Sequence, residues 1–319
     1  MRRFRRVALR TLSLSAAVGL ACLQAGGARS ASGAAVVASG ATAGASGTLP
    51  STQHPERAPL VETRVPFERI EASLPADGSR LFIGVTDRPG LHVMQTHSLA
   101  EQGRMFARIV ALFERRDMPH DRVTSMAALA TRARRSGDDP ATLTAGNNFS
   151  AIELAHFFEL GRRQHMALTP AEQELLDTLV AWGLLRDDGG VWHAANAGDF
   201  LVTLPGLGGT GSDAIDAPLR AAILDHELGH WQFFSDAAYA RACRTFWWND
   251  LALQERVALT QQLTRLGYDA RDEIIVDELQ AYLLHTPEKY QPFVDVQGTN
   301  RLSVAQVREK LRARTAGAQ

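Results

Sequence analysis

The chain has few cysteines and few long apolar runs, and each shortage excludes a class of protein. Two cysteines, Cys22 and Cys243, occur among its 319 residues, so a fold held together by several disulfides is excluded. Beyond residue 30 there is no uncharged apolar stretch of about 18 residues, the length that a membrane-spanning helix needs. A protein with several membrane-spanning helices is therefore excluded. With 45% hydrophobic and 22% charged residues, the composition is that of a globular protein.

Acidic residues are missing from the first thirty residues, which carry six arginines. The whole chain has 34 basic and 35 acidic residues and a formal net charge of -1. Residues 31–319 therefore carry 28 basic against 35 acidic groups, a net charge of -7. Because a mildly acidic surface repels a phosphate backbone, we expect no nucleic-acid partner.

The amino-terminal segment predicts export from the cell. Residues 2–10 are basic, residues 11–23 are small and apolar, and residues 25–33 offer small-residue cleavage sites, which are the three parts of a secretory signal peptide. We expect a signal peptide over residues 1–30 and a periplasmic or extracellular location in a bacterial-type cell, with no transmembrane helix in the mature chain. An uncleaved membrane tether is one alternative. Lipidation of Cys22 in an outer-membrane lipoprotein is another, since the residues around it faintly resemble a lipoprotein box.

The rest of the chain divides into three regions. Residues 31–59 are mostly Ala, Gly, Ser, Thr and Val, a composition that buries too little apolar surface to fold and predicts a flexible linker. Residues 60–200 predict an α+β region that begins with a hairpin over 80–86 and 91–96. Residues 201–319 predict a helical region, which is expected to be catalytic because of the motif described below. The expected fold is therefore α+β and mostly helical, with a small sheet ahead of a helical carboxyl-terminal half.

Capping residues mark several helix starts. Ser98, Ser150 and Thr169 each precede a Glu by three residues, the spacing of a capping box. A short strand is expected over residues 200–204. The ranges expected to be helical are 98–116, 121–135, 150–165, 169–185, 216–234, 236–248, 250–266 and 269–285.

One short motif carries the chemistry of the chain. Residues 226–230 read His-Glu-Leu-Gly-His within a predicted helix. His226 and His230 lie one turn apart on one helix face and can bind one cation, for which Zn²⁺ is suited because it accepts nitrogen ligands in a tetrahedron. Glu227 lies beside the pair, where its carboxylate can take a proton from a metal-bound water. The small Gly229 is expected to leave room near the metal.

This motif resembles that of the gluzincin group of zinc metallopeptidases. In that group the third protein ligand is a Glu on a later helix, often followed three residues on by Ala. Glu278 with Ala281 fits this pattern, so the resemblance implies that Glu278 is the third metal ligand. Asp277 is the alternative, since one residue of helix register decides between them. The chain departs from the group at Tyr282, where several members have an Asp that orients a ligand His, and Asp277 or Asp225 could replace that Asp.

The metzincin pattern is an alternative reading of the same motif. It places Gly three residues after the second His and a His or Asp three residues further on. Asp236 falls at the last of these positions, but Phe233 occupies the place of the Gly that lets the chain turn back to the metal. Asp236 more simply caps the next helix.

The motif and the resemblance together predict a secreted or periplasmic zinc-dependent metallopeptidase that acts on a peptide or protein substrate. Zn²⁺ is the expected cofactor, held by His226, His230 and Glu278, and Glu227 is the expected general base on a metal-activated water. Two other functions stay open. One is a non-enzymatic envelope protein with a structural zinc site, and the other is a zinc amidohydrolase of cell-envelope material.

Two features near the motif have open roles. The oxyanion of peptide hydrolysis needs a donor besides the metal, and Tyr282 and His285 lie one and two turns after Glu278. Core packing of Tyr282 and charge complementarity of His285 with the helix end are the simpler roles. The strand over residues 200–204 could form the sheet edge along which a peptide substrate pairs.

Overall fold

The structure is a computed structural model that describes residues 61–136, 139–140, 143–295 and 302–318. The predicted signal peptide, the predicted linker and Cys22 lie outside the described residues. Within them the architecture is α+β and mostly helical, with a small mixed sheet, which confirms the predicted fold class. Among these residues, no helix has the length and apolar character that crossing a bilayer requires.

A five-stranded mixed sheet lies at the centre of the described chain, with the spatial order β1-β2-β3-β7-β4. β1 pairs with β2 and β3 pairs with β7 in parallel, whereas β2–β3 and β7–β4 are antiparallel. The remaining strands, β5 and β6, form a separate antiparallel hairpin. The strands are β1 (Val61–Val65), β2 (Leu81–Val85), β3 (Leu91–Thr96), β4 (Asn147–Ser150), β5 (Leu185–Asp188), β6 (Val191–Ala194) and β7 (Phe200–Pro205).

β7 lies inside this sheet, between β3 and β4. The prediction that residues 200–204 form a sheet edge is therefore wrong, because both sides of this strand are already paired. The edge strands are β1 and β4, and neither was predicted. β4 is four residues long and begins with two asparagines, a residue type that is depleted in strands. The boundary predicted between residues 200 and 201 falls inside β7, so the two predicted regions share one sheet.

Helices cover both faces of the sheet. In the described residues they are α1 (Ile70–Ser73), α2 (Leu99–Phe113), α3 (Met126–Ser136), α4 (Ala151–Arg163), α5 (Pro170–Ala181), α6 (Ala217–Ser235), α7 (Ala237–Thr245), α8 (Leu253–Arg265), α9 (Asp272–Gln280) and α10 (Val304–Thr315). A π-helical turn extends α7 over Phe246–Asp250, and another extends α9 over Ala281–His285. Every predicted helix has a counterpart here, whereas α1 and α10 were not predicted.

The predicted caps account for most helix starts. The capping boxes at Ser150 and Thr169 are both formed, and the Ser98 hydroxyl accepts a hydrogen bond from the backbone of the residue three positions on. α9 is an exception, because it begins at Asp272. The carboxylate of Asp269 instead accepts from the backbone N–H two residues later, so the predicted start of this helix at 269 is three residues early.

Side chains of the sheet alternate between two apolar cores, as the period of two in a strand requires. On β7, Val202 and Leu204 belong to the core that is shared with α6, α7, α8, α9 and α10, whereas Leu201 belongs to the core shared with α2, α4 and α5. The helix that carries the His-Glu-Leu-Gly-His motif, α6, therefore packs directly on β7 and β4. This packing brings the edge strand of the sheet next to the motif.

Candidate metal centre

The two motif histidines and Glu227 are buried on α6. Asp216 caps this helix by accepting a hydrogen bond from Leu219 N at 2.8 Å, which fixes its start ten residues before His226. His226, Glu227 and His230 are only 2%, 3% and 2% exposed. Polar groups buried to this extent need partners.

The structure brings the two histidines together with the predicted third ligand. The Nε2 atoms of His226 and His230 are 3.1 Å apart. Glu278 on α9 places one carboxylate oxygen 3.7 Å from His226 Nε2 and the other 3.8 Å from His230 Nε2. In a tetrahedral zinc site with Zn–N bonds of about 2.0–2.1 Å, two ligand atoms lie about 3.3 Å apart. The three side chains therefore fit around one small divalent cation.

The opposite nitrogen of each ring has its own partner. His226 Nδ1 lies 2.9 Å from Thr286 Oγ1, and this hydroxyl donates to the backbone oxygen of Ala281 at 3.0 Å. Since the hydroxyl proton is used in that bond, His226 Nδ1 is the donor to Thr286. His230 Nδ1 lies 2.9 Å from Asp277 Oδ1. His226 is thus held with Nδ1 protonated and with the lone pair of Nε2 left for a cation, the arrangement that metal-binding histidines show, and the Asp277 carboxylate lies on the corresponding far side of the His230 ring.

The electrostatics of the cluster favour a cation. Two carboxylates, those of Asp277 and the buried Glu278, lie against the two rings, and Glu278 Oε2 has no hydrogen-bond partner among the described residues. Burial alone would lower the pKa of His230, but the carboxylates of Asp277 and Glu278 together raise it to about 10. Burial raises the pKa of Glu278 to about 8, against the opposing effect of His230. A divalent cation satisfies the two Nε2 atoms and the Glu278 carboxylate at once.

The register of α9 places the two candidate third ligands at different atoms of the histidine pair. Glu278 approaches the Nε2 atoms of both rings, whereas Asp277 contacts Nδ1 on the far side of His230. Asp277 Oδ1 also accepts a hydrogen bond from Gln280 Nε2 at 3.1 Å. Asp277 therefore lies where it can orient the His230 ring, which is the second of the two roles that the sequence left open for it. Asp225, the other candidate for that role, is exposed, and Asp236 of the metzincin alternative caps α7 instead.

Glu227 is held beside the cluster by the edge strand. Its Oε2 accepts a hydrogen bond from Asn148 Nδ2 on β4 at 2.9 Å. Gly146, immediately before β4, has no space for a side chain: a β-carbon there would lie 2.7 Å from the Glu227 carboxyl carbon. Burial raises the pKa of Glu227 to about 7, although His230 and the bond from Asn148 act in the opposite direction. A carboxylate with this pKa suits proton transfer near neutral pH.

Gly229 has a different role from the one predicted. A β-carbon at this position would lie 2.6 Å from Cδ2 of the His285 ring. The small residue therefore makes room for His285, and the prediction that it makes room for the metal is wrong. His285 Nε2 in turn lies 3.0 Å from Tyr239 Oη. Tyr239 donates to Gln280 Oε1 at 2.8 Å, which ties α7 to α9 behind the metal centre.

The two candidate oxyanion donors both have structural partners. Tyr282 is 1% exposed, and its ring packs on His226 with 4.5 Å between ring centroids. Its hydroxyl lies 3.2 Å from that of Tyr268, and the Tyr268 hydroxyl in turn acts to lower the pKa of Glu278, against the larger effect of burial. The contacts of Tyr282 and of His285 thus match their simpler roles, and an oxyanion donor stays unassigned.

Sequence reasoning missed three residues of this centre. Asn148, Thr286 and Tyr268 contact Glu227, His226 and Glu278, respectively. None of them belongs to a recognisable motif, because each reaches the centre from an element distant in sequence. The position of Asn148 before the capping box at Ser150 could have drawn attention to it only if the edge strand had been recognised.

A cleft of about 460 Å³ opens beside His230. Glu114 lies in it at the end of α2; burial raises the pKa of Glu114 well above its usual range, and the nearby carboxylates of Glu278 and Glu227 add to the effect. The lining residues are Phe113, Glu114, Asn148, Phe149, Glu153, Phe200, His230, Phe233, Phe234, Arg244, Arg271, Glu273, Ile274, Asp277 and Glu278. Two of the three cluster residues, His230 and Glu278, therefore lie in the wall of this cleft, whereas His226 and Glu227 do not line it.

No protein-family model, curated protein or solved structure matches this chain. The resemblance to gluzincins therefore rests only on the motif residues. Tyr282 occupies the position at which several gluzincins have an Asp. In this chain the contacts to the far nitrogens of the two histidines come instead from Asp277 and Thr286.

Proposed function

We propose that this protein is a zinc-dependent peptidase. The observation that carries the proposal is the buried convergence of His226 Nε2, His230 Nε2 and the Glu278 carboxylate, all within 4.8 Å of one another, at the wall of an open cleft. A structural zinc site is usually closed by four protein ligands, whereas a catalytic one keeps three and leaves a position for water or substrate. Three donors beside a cleft fit the second kind.

The residues divide the chemistry of peptide hydrolysis between them. Zn²⁺ bound by the three ligands supplies Lewis acidity that makes a water more acidic and a carbonyl carbon more electrophilic. Glu227 accepts a proton as the water oxygen bonds to the carbonyl carbon, and it gives that proton to the amine nitrogen as the C–N bond breaks. Asn148 holds the Glu227 carboxylate by the 2.9 Å hydrogen bond from its amide. Asp277 and Thr286 fix the ring planes of the ligand histidines.

The edge strand supports a peptide as the substrate. Among the described residues β4 has no strand partner on the side opposite β7, and such a sheet edge is where an extended peptide can add as a further strand. Asn148, which contacts Glu227, lies on this strand. A peptide paired along β4 would therefore pass close to the general base.

The proposal includes export. It is supported by the basic, apolar and small-residue segments of the first thirty residues, which match the three parts of a signal peptide. A protein with this signal would meet its substrates outside the cytoplasm. Detection of the mature amino terminus by mass spectrometry of an expressed chain tests this part separately.

The decisive experiment measures zinc and cleavage together. Zinc is determined by elemental analysis of the purified protein, and cleavage of a denatured protein pool is followed with and without a chelator. We expect about one zinc per chain, loss of cleavage on chelation, and a loss of about 10²–10⁴-fold in rate for Glu227→Gln with zinc retained. Asp225→Asn, an exposed acidic residue two positions before Glu227, is the matched control and should cleave normally.

Other outcomes point to the competing functions. Full activity of Glu227→Gln would refute the general-base role. Bound zinc without cleavage of any protein, together with unfolding on chelation, would identify a structural site in a non-enzymatic protein. Hydrolysis of glycan-linked peptides but not of proteins would identify an amidohydrolase of cell-envelope material.

A further inference from the structure

The cleft beside the candidate metal centre is lined by acidic, apolar and basic residues. Its acidic residues come from α2, α4 and α9 and interact with one another through space, as Glu114 does with Glu153 and Glu278. Its two basic residues are Arg244 on α7 and Arg271 just before α9. Among the apolar residues, Phe200, Phe233 and Phe234 come from β7 and the end of α6. A ligand that fills the cleft would therefore meet carboxylates, aromatic rings and guanidinium groups.

Phe234 continues the metal-binding face of α6 into the cleft. It follows His230 by four residues, so it lies one turn further along the same helix face. Its side chain is 45% exposed, and its ring lies 4.9 Å from that of Phe200 at the start of β7. An exposed phenylalanine in a concave site offers apolar area whose burial by a ligand is worth about 25 cal/mol per Å². This pair is suited to an apolar side chain of a substrate.

Arg244 is the cleft cation with unused hydrogen-bonding capacity. Its guanidinium lies over the Phe233 ring, 4.9 Å from the centroid, and among the described residues no carboxylate lies within ion-pair distance of it. The other arginine of the cleft, Arg271, already donates to Phe113 O and lies 3.4 Å from Asp269 Oδ1. Arg244 therefore presents an unpaired fork of N–H donors, which matches a carboxylate.

Resting on the peptidase function proposed above, we propose that Arg244 binds the free carboxyl terminus of the substrate, so that the enzyme is a carboxypeptidase that releases residues from the ends of peptides. The terminal side chain, aromatic or aliphatic, packs on Phe200 and Phe234. The acidic groups on α2, α4 and α9 repel the same carboxylate and so favour one orientation of the peptide. Internal peptide bonds lack the charge that Arg244 recognises.

Binding to an inactive variant tests this inference without turnover. Zinc-loaded Glu227→Gln is titrated with a six-residue peptide that ends in Phe, either as the free acid or as the carboxyl-terminal amide. We expect the free acid to bind at least about tenfold more tightly, and the added substitution Arg244→Gln to abolish that preference. Arg241→Gln is the matched control, because Arg241 is exposed on the same helix but does not line the cleft. It should leave the preference intact.

Cleavage by the active protein separates the two levels of the proposal. Release of residues from the free acid but not from the amide, lost in Arg244→Gln, supports both. Equal binding and equal cleavage of acid and amide, or a preference that survives Arg244→Gln, would overturn the role of Arg244 while the peptidase function stands. Failure of the zinc-loaded protein to bind or cleave any peptide would overturn both. Thermal unfolding of Arg244→Gln close to that of the original protein shows that the variant is folded, since this exposed residue buries little.

Discussion

The adjacent carboxylates of Asp277 and Glu278 should differ sharply in their effect on zinc affinity. The structure places Glu278 against the Nε2 atoms of both histidines, at 3.7 and 3.8 Å, and Asp277 against Nδ1 of His230 alone, at 2.9 Å. On the proposed function, Glu278 is a zinc ligand and Asp277 holds the ligand His230 in place. The two isosteric substitutions Glu278→Gln and Asp277→Asn remove one charge each and distinguish these roles.

The expected magnitudes follow from the two positions. Loss of a residue that orients a ligand histidine costs about 10–100-fold in metal affinity, or about 1.4–2.7 kcal/mol. Zinc binding at a protein site is worth about 10–16 kcal/mol, and if three ligands share it, loss of one costs about 3–5 kcal/mol. Glu278→Gln should therefore weaken binding by more than about 100-fold, and Asp277→Asn by less than that.

Competition with a chromophoric zinc chelator at one fixed pH measures both affinities. Asp225→Asn is the control, since this residue precedes His226 but its side chain is exposed, and it should bind zinc like the original protein. Circular dichroism of the metal-free variants shows whether each is folded. If Asp277→Asn lost zinc as completely as Glu278→Gln, with both variants folded, the assignment of the third ligand would be refuted.

Two further predictions concern positions around the site. Gly146→Ala should lower activity about tenfold or more while zinc stays bound, because a β-carbon there displaces the Glu227 carboxylate; Gly161→Ala, with no atom within 4 Å of the added carbon, is the control, and unchanged activity of Gly146→Ala would contradict the placement of the base. Arg162 and Arg163 lower the pKa of Glu159 to about 2. The original protein should therefore melt at a higher temperature than Glu159→Gln, with the full difference above about pH 4.5 and a smaller difference as the pH falls towards 2. A pH-independent difference would contradict this.

The local parts of the fold could be predicted because local chemistry determines them. The boxes at Ser150 and Thr169 are formed by residues three apart, and the structure shows both reciprocal bonds. The placement of His226 and His230 on one face of α6 follows from the same helical geometry, since they are four residues apart. In each case the sequence separation is smaller than one and a half helical turns, so no knowledge of the tertiary structure was needed.

The parts that failed depend on long-range pairing. β7 is paired on one side with β3, more than one hundred residues earlier, and on the other with β4. Nothing within residues 200–204 distinguishes a central strand from an edge strand, because its apolar residues would suit either position. The role of Gly229 failed for the same reason: the ring that it accommodates belongs to His285, on a helix that begins about forty residues later.

The π-helical turn after α9 explains how this chain can lack the Asp that several gluzincins use. In a regular helix the residue four positions after Glu278 would lie on the same face and could reach a ligand histidine. Here that residue is Tyr282, whose ring packs on His226. The wider turn over Ala281–His285 inserts extra chain, and such turns are common at functional sites. As a result Thr286 bonds Ala281 O, five residues back, and His226 Nδ1 at the same time. The far nitrogen of His226 thus contacts a neutral hydroxyl, whereas that of His230 contacts the carboxylate of Asp277.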